Sequence, residues 1–224
     1  MGAFIALIRK DLRLELRAGE SVLTLVVLSL LILVVMVFAL NAGVGPNNAE
    51  TAAGALWVAL IFAGTMGATR TLLAERENGC IRALMLSPTD PATLFFAKLT
   101  AGFLFMMTAE IAAVVLLVLF FNLDFDIRVA RLAPPLMLGA LGFAALATLL
   151  AGISGRVRTG DLLLPLLAVP MFVPALIAGV KASAIALTGS PLSSAAQWLK
   201  ILTAFDMLFL GAGYLLFEFV MGED

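Results

Sequence analysis

Two acidic residues lie inside long apolar stretches of this 224-residue chain, and they are the first candidates for chemistry. Glu110 lies midway along one such stretch, and Asp206 lies inside the last one. A charged side chain at the centre of a membrane helix costs about 2.5–3.5 kcal/mol on insertion scales, so we expect both to face the bundle interior or a cavity. They could line a path, bind a polar group of a partner, form hydrogen bonds to threonine or backbone groups, or serve packing alone.

Other groups that commonly carry catalysis or bind metals are scarce. The chain has no histidine, which is the commonest metal ligand and a frequent general base, and it has a single cysteine, Cys80. It contains no zinc-ligand spacing, no Walker A sequence and no nucleophile elbow. We therefore predict no catalytic residue, no metal site and no internal disulfide, and we interpret Cys80 as a small buried residue rather than a reactive thiol.

The elements that position the two acids are predicted to be membrane helices. Hydrophobic residues make up 62% of the chain, charged residues 13%, and the mean hydropathy is +1.12. A membrane-spanning helix needs about 20 predominantly apolar residues, and several stretches reach that length. We predict an all-α membrane protein that forms a single domain over residues 1–224. Its six transmembrane helices are placed at about 22–40, 51–73, 99–121, 132–154, 162–181 and 194–219.

The distribution of lysine and arginine predicts the orientation of these helices, because short positively charged loops stay cytoplasmic. With the N-terminus inside, ten of the 14 Lys and Arg residues fall on the cytoplasmic side. Both termini are therefore predicted to be cytoplasmic, and neither the net charge of -1 nor any basic run indicates nucleic-acid binding. The basic residues on the other side are Arg128, Arg131, Lys181 and Lys200.

Residues 3–18 have the pattern of an amphipathic helix before the first span. Arg9, Lys10 and Arg13 share one arc at 100° per residue, and apolar side chains share another. This predicts an interfacial helix on the cytoplasmic leaflet, while a simple positive-inside anchor stays an alternative. Asp11 interrupts the apolar arc, so we expect part of that face to pack on protein.

Residues 75–98 form a charged, proline-containing segment between the second and third spans, on the predicted cytoplasmic side. We expect a polar turn at its start, then a short amphipathic helix that a proline stops. Asp90 and Pro91 predict the N-cap and first residue of the next helix. The segment is a candidate coupling helix, although an ordinary loop resting on the membrane interface has a similar pattern. Its candidate coupling residues are Glu75, Glu77, Gly79, Ile81, Arg82, Leu84, Met85 and Pro88.

The fifth predicted span contains Pro165, Pro170 and Pro174. Each proline lacks a backbone donor and clashes with the carbonyl four residues earlier, so we expect a bent span packed against protein. It could be a flexing wall or a static kink. Small residues such as Gly64, Gly67, Gly139 and Gly142 permit close helix packing, either within one chain or between two copies.

Three segments of the sequence resemble known permeases. Residues 75–99 resemble the cytoplasmic loop of ABC-2 transporter permeases. The similarity is in the runs Glu75–Gly79, Ile81–Pro88 and Ala97-Lys98-Leu99. The stretch from Arg156 to Pro174 is similar to a signature of the heme exporter protein B (CcmB) family. The ending is also similar, over Trp198–Asp206 and Leu216–Phe219. The resemblance covers nearly the whole chain from Ala6 onward.

The resemblance implies a non-catalytic permease subunit for haem delivery during c-type cytochrome biogenesis, located in the bacterial inner membrane. It implies a separate CcmA-like ATPase that holds the ATP, a homodimer, other haem-handling membrane subunits and a haem chaperone. Membrane lipid is a further expected partner of the chain itself. We assign no bound cofactor to this chain and treat haem as a candidate cargo. Two alternatives stay open: a mechanical lever that releases a haem chaperone without conducting haem, and an ion-coupled secondary transporter using Glu110 and Asp206.

Overall fold

The protein is helical throughout the part of the chain that the structure describes. This computed structural model describes residues 2–17, 19–39, 48–77, 90–122, 126–155 and 160–221. No strand occurs in those ranges, which confirms the predicted all-α class. The helices are α1 (Gly2–Arg17), α2 (Gly19–Ala39), α3 (Asn48–Glu77), α4 (Pro91–Phe120), α5 (Ile127–Ala130), α6 (Ala133–Gly155), α7 (Gly160–Leu187), a 3₁₀ turn (Leu192–Ala195) and α8 (Ala196–Met221).

Five stretches of helix are long and apolar enough to cross a membrane, so the chain is a multi-pass membrane protein. They correspond to the second to sixth predicted spans. The first predicted span, 22–40, coincides with α2, whose described apolar stretch, Val26–Ala39, is shorter than the other five. The count of six spans therefore stays a prediction. The five stretches are Ala49–Thr69, Pro91–Phe120, Ile127–Ser154, Leu164–Leu187 and Leu192–Phe217.

The helix predicted at residues 3–18 is observed as α1, and one of its sides packs on protein. α1 contacts α4 and α2. Asp11 is buried, with its carboxylate 3.0 Å from the Lys10 ammonium, whereas Ile5 is exposed. The expectation that part of the face around Asp11 meets protein is confirmed, because Asp11 is buried and α1 contacts α4.

The start of the candidate coupling segment differs from the prediction. Glu75 and Glu77 belong to the last turn of α3 rather than to a polar turn. The physical reason is that residues 70–77 contain no helix breaker, and leucine, alanine, arginine and glutamate all favour helix. Residues 78–89 lie outside the described ranges, and with them the predicted short helix and the candidates Gly79, Ile81, Arg82, Leu84, Met85 and Pro88.

The end of the same segment agrees with the prediction. Asp90 is the N-cap of α4, and its carboxylate accepts a hydrogen bond of 3.1 Å from the backbone N–H of Thr93. Pro91 occupies the first turn, where its missing N–H removes no helical hydrogen bond. Residues 91–98 are therefore continuous with the third span, so any displacement there acts directly on a membrane helix.

The proline-containing helix α7 is buried along one stripe between Leu164 and Ala175, and over most of its surface from Ala178 to Leu187. Leu164, Ala168 and Phe172 lie on that stripe, at the spacing of one helix face. Pro170 and Pro174 are exposed on the opposite side, and Pro165 is half-buried. As expected, the span packs against protein, since α7 contacts α3, α6 and α8. Pro170 and Pro174 are not in those contacts, because they are four residues apart and share the face turned away from the bundle.

Candidate functional site

Asp206 lies at the contact between α8 and α6, where it has no polar partner. Its side chain is only 3% exposed, and neither carboxylate oxygen has a hydrogen-bond partner within the described part of the chain. On α6 it faces Gly142, where an added Cβ would collide with Asp206 Oδ1 and would meet the Phe205 ring at 2.9 Å. A larger residue at position 142 would separate the two helices, so the glycine is what lets the carboxyl group be buried.

An aromatic cluster fills the space beside Asp206. The Phe205 ring packs edge-on against Phe172 at 5.5 Å and lies 4.6 Å from the Phe209 ring, both distances being between ring centroids. Phe172 is also edge-on to Phe143, at 5.4 Å. These rings come from α6, α7 and α8, so the cluster joins three helices. Edge-to-face pairs of this kind add about 0.5–1.5 kcal/mol each beyond the area they bury.

Trp57 extends this cluster to α3 and is only 2% exposed. Its ring lies against Phe172, with centroids 6.4 Å apart, and its Nε1–H donates a 2.9 Å hydrogen bond to Ser183 Oγ. On two sides it lies against the backbone of Gly139 and Gly179, where an added Cβ would collide with the indole. Trp57 was not among the residues predicted from the sequence. Its importance could have been inferred, because an indole N–H in the middle of a membrane span needs a hydrogen-bond acceptor.

The small residues predicted to permit close helix packing are used inside this chain. Beside Gly139 and Gly142, an added Cβ at Gly64 would come within 2.8 Å of the Phe143 ring, and one at Gly67 within 2.7 Å of the Phe105 ring. The sequence left open whether these glycines permit close packing within one chain or between two copies. At these four positions the glycines receive aromatic rings of their own bundle.

Glu110 is buried at a separate place in the bundle. It is 4% exposed, and its Oε2 atom has no hydrogen-bond partner among the described residues. Helices α4 and α8 run antiparallel and meet where Phe95 touches Gly213. From that contact Glu110 is fifteen residues along α4 and Asp206 is seven residues along α8. At 1.5 Å per residue the two acids differ in depth by about 12 Å, so they do not form one paired-acid site.

Asp206 is not neutralised by Lys200, the basic residue of its own helix. Asp206 and Lys200 are six residues apart, and Lys200 is exposed while both Asp206 oxygens lack partners. This agrees with the poor match of helix faces at that spacing. The Ser29 hydroxyl of α2 is a further buried group without a partner in the described part of the chain. The described residues contain no group of three or more His, Cys, Asp or Glu side chains that could hold a metal ion.

The four basic residues assigned to the non-cytoplasmic side lie at one end of the bundle. Arg131 donates from Nη1 to the carbonyl oxygens of Gly189 (2.5 Å) and Ser190 (3.1 Å), which ties the start of α6 to the end of α7. Lys181 pairs with Glu50 at 3.1 Å, which joins α7 to the first turn of α3. Arg128 pairs with Asp126 at 3.3 Å and lies beside Gly189, whose φ is +81°. These interactions connect α3, α6 and α7 at this end of the bundle.

The comparison with known proteins identifies the family. A sequence profile described as CcmB protein matches residues 2–216. The chain belongs to the CcmB family.

Relatives within this family match over most of their length. Heme exporter protein B of Bradyrhizobium diazoefficiens is 31% identical over 216 residues, covering 95% of this chain and 94% of the relative. The protein of that name from Rhodobacter capsulatus is 30% identical over 79% of this chain and 80% of its own length. The one from Pseudomonas aeruginosa is 31% identical over 77% of both. These relatives are named as an exporter component and not as an enzyme.

Proposed function

We propose that this protein is the membrane subunit of a haem exporter that acts in c-type cytochrome biogenesis and is driven by a separate ATPase. The observation that carries the proposal is the family match over residues 2–216, together with relatives named heme exporter protein B. The apolar helices supply a membrane domain, and the sequence contains no Walker A motif for binding ATP itself. The energy source is therefore placed on a partner polypeptide, and this subunit is not catalytic.

The ATPase is proposed to act at residues 75–98 from the cytoplasmic side. The positive-inside distribution of lysine and arginine supports this side, and the four minority basic residues at the opposite end of the bundle agree with it. In this arrangement both termini are cytoplasmic and the membrane is the bacterial inner membrane. Haem is the proposed cargo, and other haem-handling membrane subunits with a haem chaperone are the proposed partners on the far side. We assign no bound cofactor to this chain itself.

Loss of the candidate coupling contacts tests this proposal. We expect Arg82→Ala and Leu84→Ala to leave the protein in the membrane. Both variants should lower the yield of haem-loaded c-type cytochrome obtained per ATP hydrolysed. Lys200→Ala is the matched control, because it removes an exposed positive charge at the opposite end of the bundle. The measurements are ATP hydrolysis by the purified complex and covalent haem staining of c-type cytochromes in the same cells.

Normal coupling in both variants would contradict a role for residues 75–98. Activity that needs no ATPase but depends on a proton or sodium gradient would favour the secondary transporter that uses Glu110 and Asp206. Vesicles containing only this subunit and the ATPase separate the other two mechanisms. ATP-dependent haem movement in them supports export, and its absence supports a lever that releases a haem chaperone.

The active form is proposed to be a homodimer in which α7 faces a second copy. Pro170 and Pro174 leave the carbonyl oxygens of Leu166 and Pro170 without their helical donors, on the exposed side of α7. Unpaired backbone groups in hydrocarbon cost several kcal/mol each, and a neighbouring protein helix can satisfy them. Leu166 is 69% exposed on the same side, so this face has room for a partner helix.

Cross-linking tests the dimer. In a Cys80→Ser background, Ile177→Cys places a thiol on the proline side of α7, where position 177 is 52% exposed. We expect oxidation in native membranes to give a disulfide-linked dimer. Met207→Cys is the control, since Met207 is 70% exposed on α8, which has no proline. Equal cross-linking at positions 177 and 207, or none at 177, would contradict the α7 interface.

A further inference from the structure

The first turns of α4 pack against the last helix, α8, through an aromatic side chain. Phe95 lies five residues after the Asp90 cap and is fully buried. Its ring packs against Phe217 of α8 with centroids 5.4 Å apart, and against Phe96 at 5.3 Å. Phe96 in turn lies 6.3 Å from the ring of Tyr214. The start of α4, where the candidate coupling segment enters the membrane domain, is thus in contact with α8.

The contact is closest at Gly213, where the Phe95 ring lies on the backbone of α8. A Cβ added at Gly213 would collide with the ring, and the ring's Cε1 atom would be 2.9 Å away. Gly211, two residues earlier on α8, has no atom within 4 Å of an added Cβ. The requirement for glycine is therefore specific to position 213, because it is the ring of Phe95 that occupies the space.

The same helix carries the buried carboxyl group. Asp206 precedes Gly213 by seven residues, which is about 10 Å along the helix. α8 is continuous from Ala196 to Met221, so a displacement at Gly213 is transmitted along it to Asp206. At that level Asp206 lies against Gly142 of α6 and has no hydrogen-bond partner among the described residues. Exposure of its carboxyl group to water would therefore be favourable.

We infer that Phe95 and Gly213 form a joint that passes motion from the start of α4 to α8, and through α8 to the contact between Asp206 and Gly142. The inference rests on the proposed function, because the motion is supplied by an ATPase at residues 75–98. Closely packed helices change between discrete arrangements rather than deforming continuously. A ring that lies on the helix backbone therefore moves α8 together with α4. Phe95 and Gly213 are positioning residues, since neither is placed in contact with haem or ATP.

The test compares two glycine substitutions in α8 within the complete complex. Gly213→Ala should lower the yield of haem-loaded cytochrome per ATP hydrolysed by about 2- to 30-fold, the range expected for residues that carry coupling. Gly211→Ala makes the same chemical change in the same helix and should leave this ratio unchanged. Phe95→Leu removes the ring, so the double variant Phe95→Leu/Gly213→Ala should recover part of the ratio lost in Gly213→Ala. A double-mutant cycle from these variants gives the coupling between the two positions.

Three results would overturn the joint. The first is a ratio in Gly213→Ala equal to that in Gly211→Ala. The second is additive behaviour in the cycle, which would mean that the two residues act independently. The third is a normal ratio in Phe95→Leu, which would assign the contact to packing alone. This variant introduces no clash, so it can be measured even if Gly213→Ala fails to accumulate in the membrane.

The failure of this joint is distinguishable from the failure of the proposed function. If Arg82→Ala lowers the ratio while Gly213→Ala does not, the ATPase acts at residues 75–98 and the joint is wrong. If Arg82→Ala and Leu84→Ala both leave the ratio unchanged, the proposed coupling segment is wrong. A residual effect of Gly213→Ala would then show that the joint acts in a different mechanism, which contradicts the inference as stated.

Discussion

Replacing Trp57 with alanine should lower the free energy of unfolding by about 3–5 kcal/mol, the range measured for large aromatic side chains removed from protein cores. The indole contacts α6 and α7 at once, because it lies against Gly139 and Gly179 and along Phe172. Its removal leaves a cavity where three helices meet and an unpaired Ser183 hydroxyl. An SDS titration of the purified protein, followed by circular dichroism, measures the change.

Trp198→Ala is the matched control for this experiment. Trp198 is the other tryptophan of the chain, and it is only partly buried at the start of α8. We expect a much smaller shift of the SDS midpoint for it. Trp57→Phe should cost about 1–3 kcal/mol, since it keeps most of the ring but leaves the buried Ser183 hydroxyl without its donor. Equal shifts for the two alanine variants would contradict the central role assigned to Trp57.

The glycines beside Trp57 provide an internal check. Gly179→Ala alone should destabilise the protein by about 1–3 kcal/mol, because its Cβ collides with the indole. In the Trp57→Ala background the added methyl group enters the cavity, so its cost should fall or reverse sign. A constant cost in both backgrounds would mean that the indole is not what limits the size of residue 179. Gly54→Ala, where no atom lies within 4 Å of the added Cβ, is the neutral reference.

Replacing Asp206 with alanine should change stability and activity in opposite directions. Both carboxylate oxygens are buried and have no hydrogen-bond partner in the described part of the chain, and each unsatisfied buried group costs about 1–3 kcal/mol. Their removal should therefore raise the SDS midpoint, while the small side chain introduces no clash with Gly142. A group that costs stability in a membrane helix is expected to serve function. On the proposed function, we therefore expect the yield of haem-loaded c-type cytochrome to fall about tenfold, within the range for residues that carry coupling.

A second variant separates this reading from a purely structural role. Thr203→Ala changes an exposed residue of the same helix whose hydroxyl donates to the Leu199 carbonyl of that helix, so both readouts should stay close to those of the parent protein. If Asp206→Ala lowers stability and activity together, the carboxyl group has a structural role that the unpartnered oxygens do not reveal. If activity is unchanged while stability rises, Asp206 is dispensable for function.

The class of protein and the positions of most helices could be predicted from the sequence, because apolar length and helix boundaries are local properties. An apolar run of about 20 residues has to be a membrane helix in a bilayer, and a helix whose first residues are capped by Asp90 and Pro91 begins where the prediction places it. The family was also accessible from short stretches of sequence. The prediction was wrong at Glu75 and Glu77, since helix propensity carried α3 past the expected turn.

The contacts between helices could not be predicted from the sequence. A span that is apolar on all sides has no pattern that marks its buried face, so position along the chain does not say which residues meet. Trp57 and Ser183 are 126 residues apart, and only the packing of α3 on α7 joins them. The prolines of α7 are a second example. They predicted a bent helix, but their spacing did not say which side of that helix faces away from the bundle.

The sequence by itself therefore determined that this is a helical membrane protein of the CcmB family with two acids inside its spans, because composition, local helix signals and motifs are properties of the chain alone. Only the tertiary structure decided that those acids lie at separate depths, that Asp206 rests on Gly142, and that Phe95 fits onto Gly213. The physical reason is that helix packing depends on the shapes of the two surfaces that meet. Whether a position requires glycine depends on which side chain of the other helix packs against it.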